Sequence, residues 1–295
     1  MNLRDLQYLV ALAETGHFGE AAERCHVSQP TLSAQIKKLE DYLGVQLFER
    51  QPKKVSLTEV GRLIVERARH VTQEAEDIRE LARASRDPLT GKLRVGLIPT
   101  IAPYLLPRVA VKLRRQLPDL LLMLYEYQTG PLLQKLRDGE LDLAILALPA
   151  DTSGLETRSL FAESFVVAMP RNHALAARKR LKPADLAGEK ILLLEEGHCL
   201  RDQALEVCGT VALSEEQDFR ATSLETLRQM VAGGHGVTLL PRLAAEGPIA
   251  SARGLEYRPF SPPSPSRMVG AAWRRSSTRE TAITAVCDVI ASAGR

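Results

Sequence analysis

Residues 26–44 constrain this chain more than any other stretch. Leu32, Ile36, Leu39 and Leu43 recur at steps of four, three and four, which lays one apolar stripe along a helix. Ser28 stands where a side-chain oxygen can cap the first free amides. Pro30 lies in the first turn, where a missing N–H costs nothing, and Gly44 follows the last apolar residue. A helix this sharply bounded needs partners for its stripe, and the preceding residues supply them. Leu6, Leu9, Val10, Leu12 and Ala13 predict a first helix of about twelve residues, ended by Thr15 and Gly16. Phe18 to Arg24 predicts a short second helix, with Ala21 and Ala22 small enough for close contact. The outward side of the third helix carries Ser28, Gln29, Pro30 and Thr31 at its start, then Ser33, Gln35, Lys37 and Lys38. Their polar members hydrogen-bond base edges or phosphates when a helix lies in the major groove, so the segment predicts a helix-turn-helix. Residues 47–58 then predict a two-stranded wing whose basic tip, Arg50, Lys53 and Lys54, suits phosphate contact.

Bulk charge adds little to this. The chain has 39 basic and 36 acidic side chains, a net +3, and residues 1–58 hold seven of each sign. Distribution says more, because Lys37, Lys38, Arg50, Lys53 and Lys54 fall within 18 residues. Standing alone, those charges would equally describe a solvated face.

From 59 to 86 the sequence favours helix throughout, and Ile64, Ala68, Val71, Ala75, Ile78 and Ala82 are spaced as a heptad seam. Packing on its own domain would give a similar stripe; the alanines and the length favour pairing with a second chain. Asp87, Pro88, Thr90 and Gly91 read as a linker. Beyond it strands (92–98, 120–128, 141–148) alternate with helices (105–117, 130–137), which predicts a mainly parallel sheet. Strands at 161–169, 191–194 and 237–240, with helices near 199–208 and 224–232, suggest a second α/β lobe. A strand at 268–273 and a helix at 278–291 return to the first. The expected fold class is therefore α + α/β: a winged helix-turn-helix at 1–58, a linker and dimerisation helix with its hinge at 59–91, and a two-lobed effector domain at 92–295. Lobe I takes about 92–161 and 268–295, and lobe II about 162–267. No apolar run approaches the roughly 18 residues of a membrane helix, and Asp5 and Glu14 interrupt the apolar N-terminus. A cytoplasmic protein without a membrane partner is expected.

The segment AERCHVSQPTLSAQIKKLEDYLGVQLFER closely resembles the winged helix-turn-helix of LysR-type transcriptional regulators. The linker helix and two lobes, an arrangement like that of periplasmic binding proteins, extend the resemblance over essentially the whole chain. GHCLRDQALEVCG at 197–209 and FRATSLETLRQMVAGGHGVTLLP at 219–241 are similar to the peroxide-sensing members of that family. Asp218, and Leu205, Glu206 and Val207 ahead of Cys208, depart from their pattern. The resemblance implies a homo-oligomer, a dimer of dimers, that binds double-stranded promoter DNA and takes hydrogen peroxide as its signal. RNA polymerase and a thiol reductant are the further partners it implies. It also implies no cofactor, no metal and no enzymatic turnover. Residue by residue it makes Cys199 and Cys208 the redox pair and places Thr100, Thr129, His198 and Arg267 around the sensing thiol.

The residues themselves fit that chemistry without compelling it. Four cysteines, Cys25, Cys199, Cys208 and Cys287, are too few for a disulfide-built scaffold. Cys199 follows His198 and precedes Arg201 and Asp202; a thiolate beside cationic or donor groups has a lowered pKa and attacks an O–O bond. The sulfenic acid so formed condenses with a neighbouring thiol, which Cys208 can supply. If the intervening residues are helical, nine steps separate the pair by about 13 to 14 Å. A disulfide needs Cα atoms within about 7 Å, so oxidation should unwind the segment, against which Phe219 is expected to pack. Other readings stay open here. The two thiols also fit plain core packing, as Cys25 and Cys287 do. His198, Cys199 and Cys208 are a poor zinc set without a fourth ligand nearby. Thr100 and Thr129 at strand ends also suit ordinary helix caps. A small organic effector between the lobes is the alternative signal.

Overall fold

Helix α1 (Leu3–Thr15) opens with a reciprocal cap: the Asp5 amide donates to the Asn2 side chain at 3.0 Å and the Asn2 amide donates to the Asp5 carboxylate at 2.8 Å. Gly16 closes it at φ +62, a left-handed conformation that glycine adopts without strain. Helix α2 (Phe18–Arg24) is capped by His17, whose Nδ1 accepts from the Gly19 and Glu20 amides. Helix α3 (Gln29–Leu43) starts at Ser28, which accepts from the Thr31 amide, and stops at Gly44. Leu9, Leu12, Ala21, Leu32, Ile36 and Leu39 form the shared core of these three helices. The chain is a computed structural model that describes residues 1–51, 54–84, 87–209, 214–246 and 254–293. It divides into two compact units, Met1–Arg86 and Asp87–Arg295.

The wing consists of β1 (Phe48–Gln51) and β2 (Lys54–Leu57), paired antiparallel. Glu40 on α3 fixes where it begins, its Oε1 accepting from the amides of Leu47 at 2.8 Å and Phe48 at 3.3 Å. Helix α4 (Glu59–Ala84) runs about 39 Å at 1.5 Å per residue. Its Val65 and Ala68 are buried in the core of the first unit, and Ile64 packs partly against it. The predicted seam is thus divided. Ala68 serves its own domain, while Val71 (50% exposed) and Ile78 (68%) face outward with Val60 and Leu63.

In the second unit, β3 (Gly91–Leu97) pairs in parallel with β4 (Leu120–Glu126) and β5 (Leu143–Leu148). Helices α5 (Ala102–Gln116) and α6 (Thr129–Arg137) make the crossovers. The buried Asp142 joins two of these strands, accepting from both the backbone and the guanidinium of Arg94. The sheet is mixed rather than mainly parallel. Strand β6 (Leu155–Pro170) is antiparallel to β11 (Ser266–Arg274) along its first part, and to β9 (Thr238–Pro241) and β10 (Leu255–Pro259) along its last. Strand β11 in turn lies antiparallel to β5. Alternation of strand and helix cannot predict this, because β6 and β11 are long strands that enter without crossover helices. A separate parallel pair, β7 (Lys190–Leu194) and β8 (Ser214–Ala221), flanks α7 (Cys199–Cys208). Helices α8 (Leu224–Ala232) and α9 (Glu280–Ala293) complete the unit.

Glu40 is the hinge pin of the wing. Replacing it with Ala leaves two amides without their acceptor, which costs about 1–3 kcal/mol. A matching fall in denaturation free energy, followed by circular dichroism of the DNA-binding unit, is the expected outcome.

Candidate functional site

Three chain segments that leave the ends of parallel strands meet in the second unit. Thr100 follows β3, Gln128 and Thr129 follow β4, and Gly197, His198 and Cys199 follow β7. Together with Ile98 and Pro99 they enclose a cleft of about 150 Å³, too narrow as it stands for a water-sized sphere. The ends of parallel strands are where α/β folds place ligands, since loops and helix N-termini converge there. Cys199 is the first residue of α7, where the helix dipole favours an anionic sulfur.

An ion pair stands behind Thr100. Arg267 on β11 is 3% exposed and Glu163 on β6 is 4% exposed. The Arg267 Nε donates to Glu163 Oε2 at 2.8 Å, and Nη2 lies 2.8 Å from a Glu163 carboxylate oxygen. Nη1 donates to Thr100 Oγ1 at 2.9 Å, and Nη2 donates to the Thr100 carbonyl at 2.9 Å. Glu163 uses its other oxygen to accept from the Leu243 amide at 2.9 Å. Thr100 is therefore an anchor for the cation, not a helix cap.

Burial pushes the Cys199 thiol above its ordinary pKa. The Arg267 cation opposes that rise, followed by the Thr129 hydroxyl, while Asp202 adds to it. This corrects the expectation of a lowered pKa: desolvation outweighs the attraction. The facing cation is also Arg267, 68 positions along the chain, and not the adjacent Arg201, whose Nη1 donates to the Leu194 carbonyl at 3.4 Å. The Thr129 Oγ1 is buried without a bond of good geometry among the described residues, yet lies near enough to the sulfur to favour its thiolate. His198 is buried and holds Gln128, with Nε2 atoms 3.0 Å apart. With the amide nitrogen as donor, the ring nitrogen accepts. Gln128 also donates to Glu195 at 3.3 Å. Gly197 sits at φ +93, and a Cβ there would come within 2.8 Å of the Gln128 Oε1, so this glycine lets the amide close over the cleft.

Cys208 ends α7, and Phe219 and Asp218 lie on β8; their side chains are outside the described set. In the first unit Ser28, Gln29, Pro30, Thr31, Lys37 and Lys38 are exposed on α3, with Ser33 and Gln35 half-buried. The Ser28 hydroxyl is engaged with Thr31. Arg50 and Lys54 stand on the wing strands with side chains outside the described set, and Lys53 lies outside the described residues. Sequence reasoning missed Gln128 and Glu163. The only signal for Gln128 is its place beside Thr129. Glu163 carries none, because its partner is 104 positions away.

A family model for the bacterial regulatory helix-turn-helix protein of the lysR family matches residues 3–62, and one for the LysR substrate binding domain matches residues 86–295. The chain belongs to the LysR family. This LysR-family protein is 49% identical over 277 residues to the DNA-binding transcriptional dual regulator OxyR of Escherichia coli K12, covering 94% of this chain and 90% of that one. Among solved structures, full-length OxyR of Pseudomonas aeruginosa, a cysteine-to-aspartate mutant, superposes with a TM-score of 0.77 at 46% identity, covering 98% of this chain and 94% of that one. A hydrogen peroxide-bound OxyR mutant of Corynebacterium glutamicum superposes with a TM-score of 0.69 at 36% identity, covering 99% and 92%. Like its relatives, this LysR-family chain is a transcriptional regulator by domain content. Among its described residues no helix is long and apolar enough to cross a membrane.

The raised pKa makes the thiolate of this LysR-family protein a minor species at neutral pH. The rate of Cys199 oxidation should therefore rise about tenfold per pH unit from roughly pH 6 to 8. Peptide-level mass spectrometry after timed peroxide exposure reads this, and a plateau near neutrality would contradict it. Cys287, pushed up to about 12 by burial, should stay reduced throughout.

Proposed function

We propose that this chain is a DNA-binding transcriptional regulator that senses hydrogen peroxide through Cys199. The observation that carries the reading is the gathering of Thr100, Thr129, His198 and Arg267 about one thiol at a helix start. The similarity to OxyR proteins, one of them described as peroxide-bound, supports it.

The proposed chemistry has two steps. The Cys199 thiolate attacks one peroxide oxygen, the O–O bond breaks, and the departing hydroxide takes a proton to leave as water. Arg267 and the Thr129 hydroxyl stabilise the thiolate. In the second step the Cys208 sulfur attacks the sulfenic sulfur and a second water leaves. Peroxide is reduced by two electrons and the two thiols become a disulfide. Helix α7 keeps the two Cα atoms about 13.5 Å apart at 1.5 Å per residue, against the roughly 7 Å limit of a disulfide. The bond therefore requires α7 to unwind, and that rearrangement is the signal sent to the rest of the protein. A thiol reductant resets it.

In the DNA-binding unit, the α3 face and the wing contact the promoter, through bases and phosphates respectively. On α4, Val60, Leu63, Val71 and Ile78 fall within an arc of about 80° and are exposed, a strip suited to a second copy. Paired copies present two recognition helices, and two such dimers form the tetramer that meets RNA polymerase.

Mass spectrometry of the reduced protein, alkylated before and after one equivalent of peroxide, tests the chemistry. A peptide joining Cys199 to Cys208, with Cys25 and Cys287 still alkylated, is expected. Four free thiols would overturn the proposal. Amide exchange across residues 196–220 should accelerate on oxidation; unchanged exchange would remove the unwinding step. For assembly, Val71→Glu combined with Ile78→Glu should lower the solution mass measured by light scattering. It should also weaken promoter binding at least tenfold while leaving helix content unchanged.

A further inference from the structure

The proposed mechanism uses Arg267 but gives no work to the carboxylate that holds it. Four of the five guanidinium hydrogens of Arg267 are directed at Glu163 and Thr100. The cation is thus fixed in place by Thr100 and neutralised by Glu163. An arginine closed by a buried carboxylate offers a nearby sulfur a much weaker field than a free one, and in a poorly solvated site that difference is large.

We propose that Glu163 is a positioning and charge-balancing residue that holds the sensing thiol protonated at rest, so that its negative charge sets how much peroxide is needed to fire the switch. The charged groups acting on Cys199 are Arg267 from β11 and Asp202 from α7, with the neutral Thr129 hydroxyl from α6. Glu163, on β6, acts on it through Arg267. Loss of the Glu163 charge releases the full field of Arg267, which stays aimed by its two bonds to Thr100. The thiol pKa then falls. The inference rests on Cys199 being the reactive thiol.

The test uses the full-length reduced protein and iodoacetamide, with Cys199 alkylation followed by peptide mass spectrometry across pH. Glu163→Gln should move the alkylation midpoint down by about one unit. A one-unit fall raises the thiolate fraction about tenfold and lowers its intrinsic nucleophilicity about threefold, so the rate at pH 7 should rise roughly threefold. Glu163→Asp, which keeps the charge, should retain the wild-type midpoint. An unmoved or raised midpoint in Glu163→Gln overturns the inference, as does an equal downward shift when Arg267→Met is already present. If Glu163→Gln fails to fold, the pair-deleted variant Glu163→Leu with Arg267→Met carries the test, since a buried ion pair replaced by apolar groups is commonly tolerated. Its midpoint should lie within about half a unit of wild type; a rise of more than about one unit means the Arg267 field was never balanced and overturns the inference. Wild-type Cys199 that alkylates normally but never reacts with peroxide would defeat the sensing role and the peroxide threshold with it, but not the hold of Glu163 on the thiol's proton.

Discussion

Arg267 is the residue around which the regulatory unit is organised. A guanidinium only 3% exposed persists because four of its five hydrogens meet acceptors, and those acceptors come from separate parts of the sheet: Thr100 after β3 and Glu163 on β6. Removing one partner of such a buried pair costs about 3–5 kcal/mol, since the other charge is left stranded. The ion pair therefore locks together the parallel part of the sheet and the long strand β6, whose last residues pair with β9 and β10. Glu163 extends the connection to the short turn Arg242–Ala245 by accepting from Leu243. The chemistry of the cleft and the cohesion of the unit thus depend on the same contacts.

The thiol sits in a balance that neither burial nor charge wins outright. Burial protects Cys199 from adventitious oxidants and raises its pKa, while Arg267, Thr129 and the start of α7 make its anion tolerable. Cys287 shows what burial does without such help: its thiol rises to about 12 although Arg158 pulls the other way. A signal-responsive thiol gains from this arrangement, because a fully ionised one would react with any passing electrophile. Gln128, held by His198 and Glu195, lines the cleft beside the thiol.

Local structure was legible in the sequence wherever neighbours in the chain decide it. Ser28, Pro30 and Gly44 bound α3 as their capping chemistry requires, and Cys199 and Cys208 bracket a single helix. What escaped was set by long-range partners. Arg201 looked like the thiol's cation because it is adjacent, yet a helix turns its side chain toward Leu194, and the effective cation arrives from β11. Glu163 gave no sign at all in its stretch of β6. Ala68 matched a heptad seam but points into its own domain, because an amphipathic helix with apolar residues on two sides presents the same spacing to either partner. Strand direction was likewise hidden: β8 and β10 are short and polar, and β6 changes partners midway along its length.

The length of α7 gives the proposed switch two discrete states. Among the described side chains of this helix Leu200 and Ala204 are fully buried, with Cys199, Leu205 and Val207 partly so. Burying a leucine contributes about 1.5–3 kcal/mol, so the helix is held by a few kilocalories. Partial unwinding gains nothing, since the sulfurs bond only once the Cα atoms have closed from about 13.5 Å to about 7 Å, which needs most of the ten residues to leave the helix. The reduced helix and the oxidised loop therefore exclude each other, and a marginally anchored helix is one that a single covalent bond can displace. Leu205, Glu206 and Val207 fall in the last turn, beside Cys208. In the proposed mechanism their packing would bear on the release of the second cysteine, and the ion pair behind Thr100 on the reactivity of the first. Threshold and commitment are then tuned by different residues of one site.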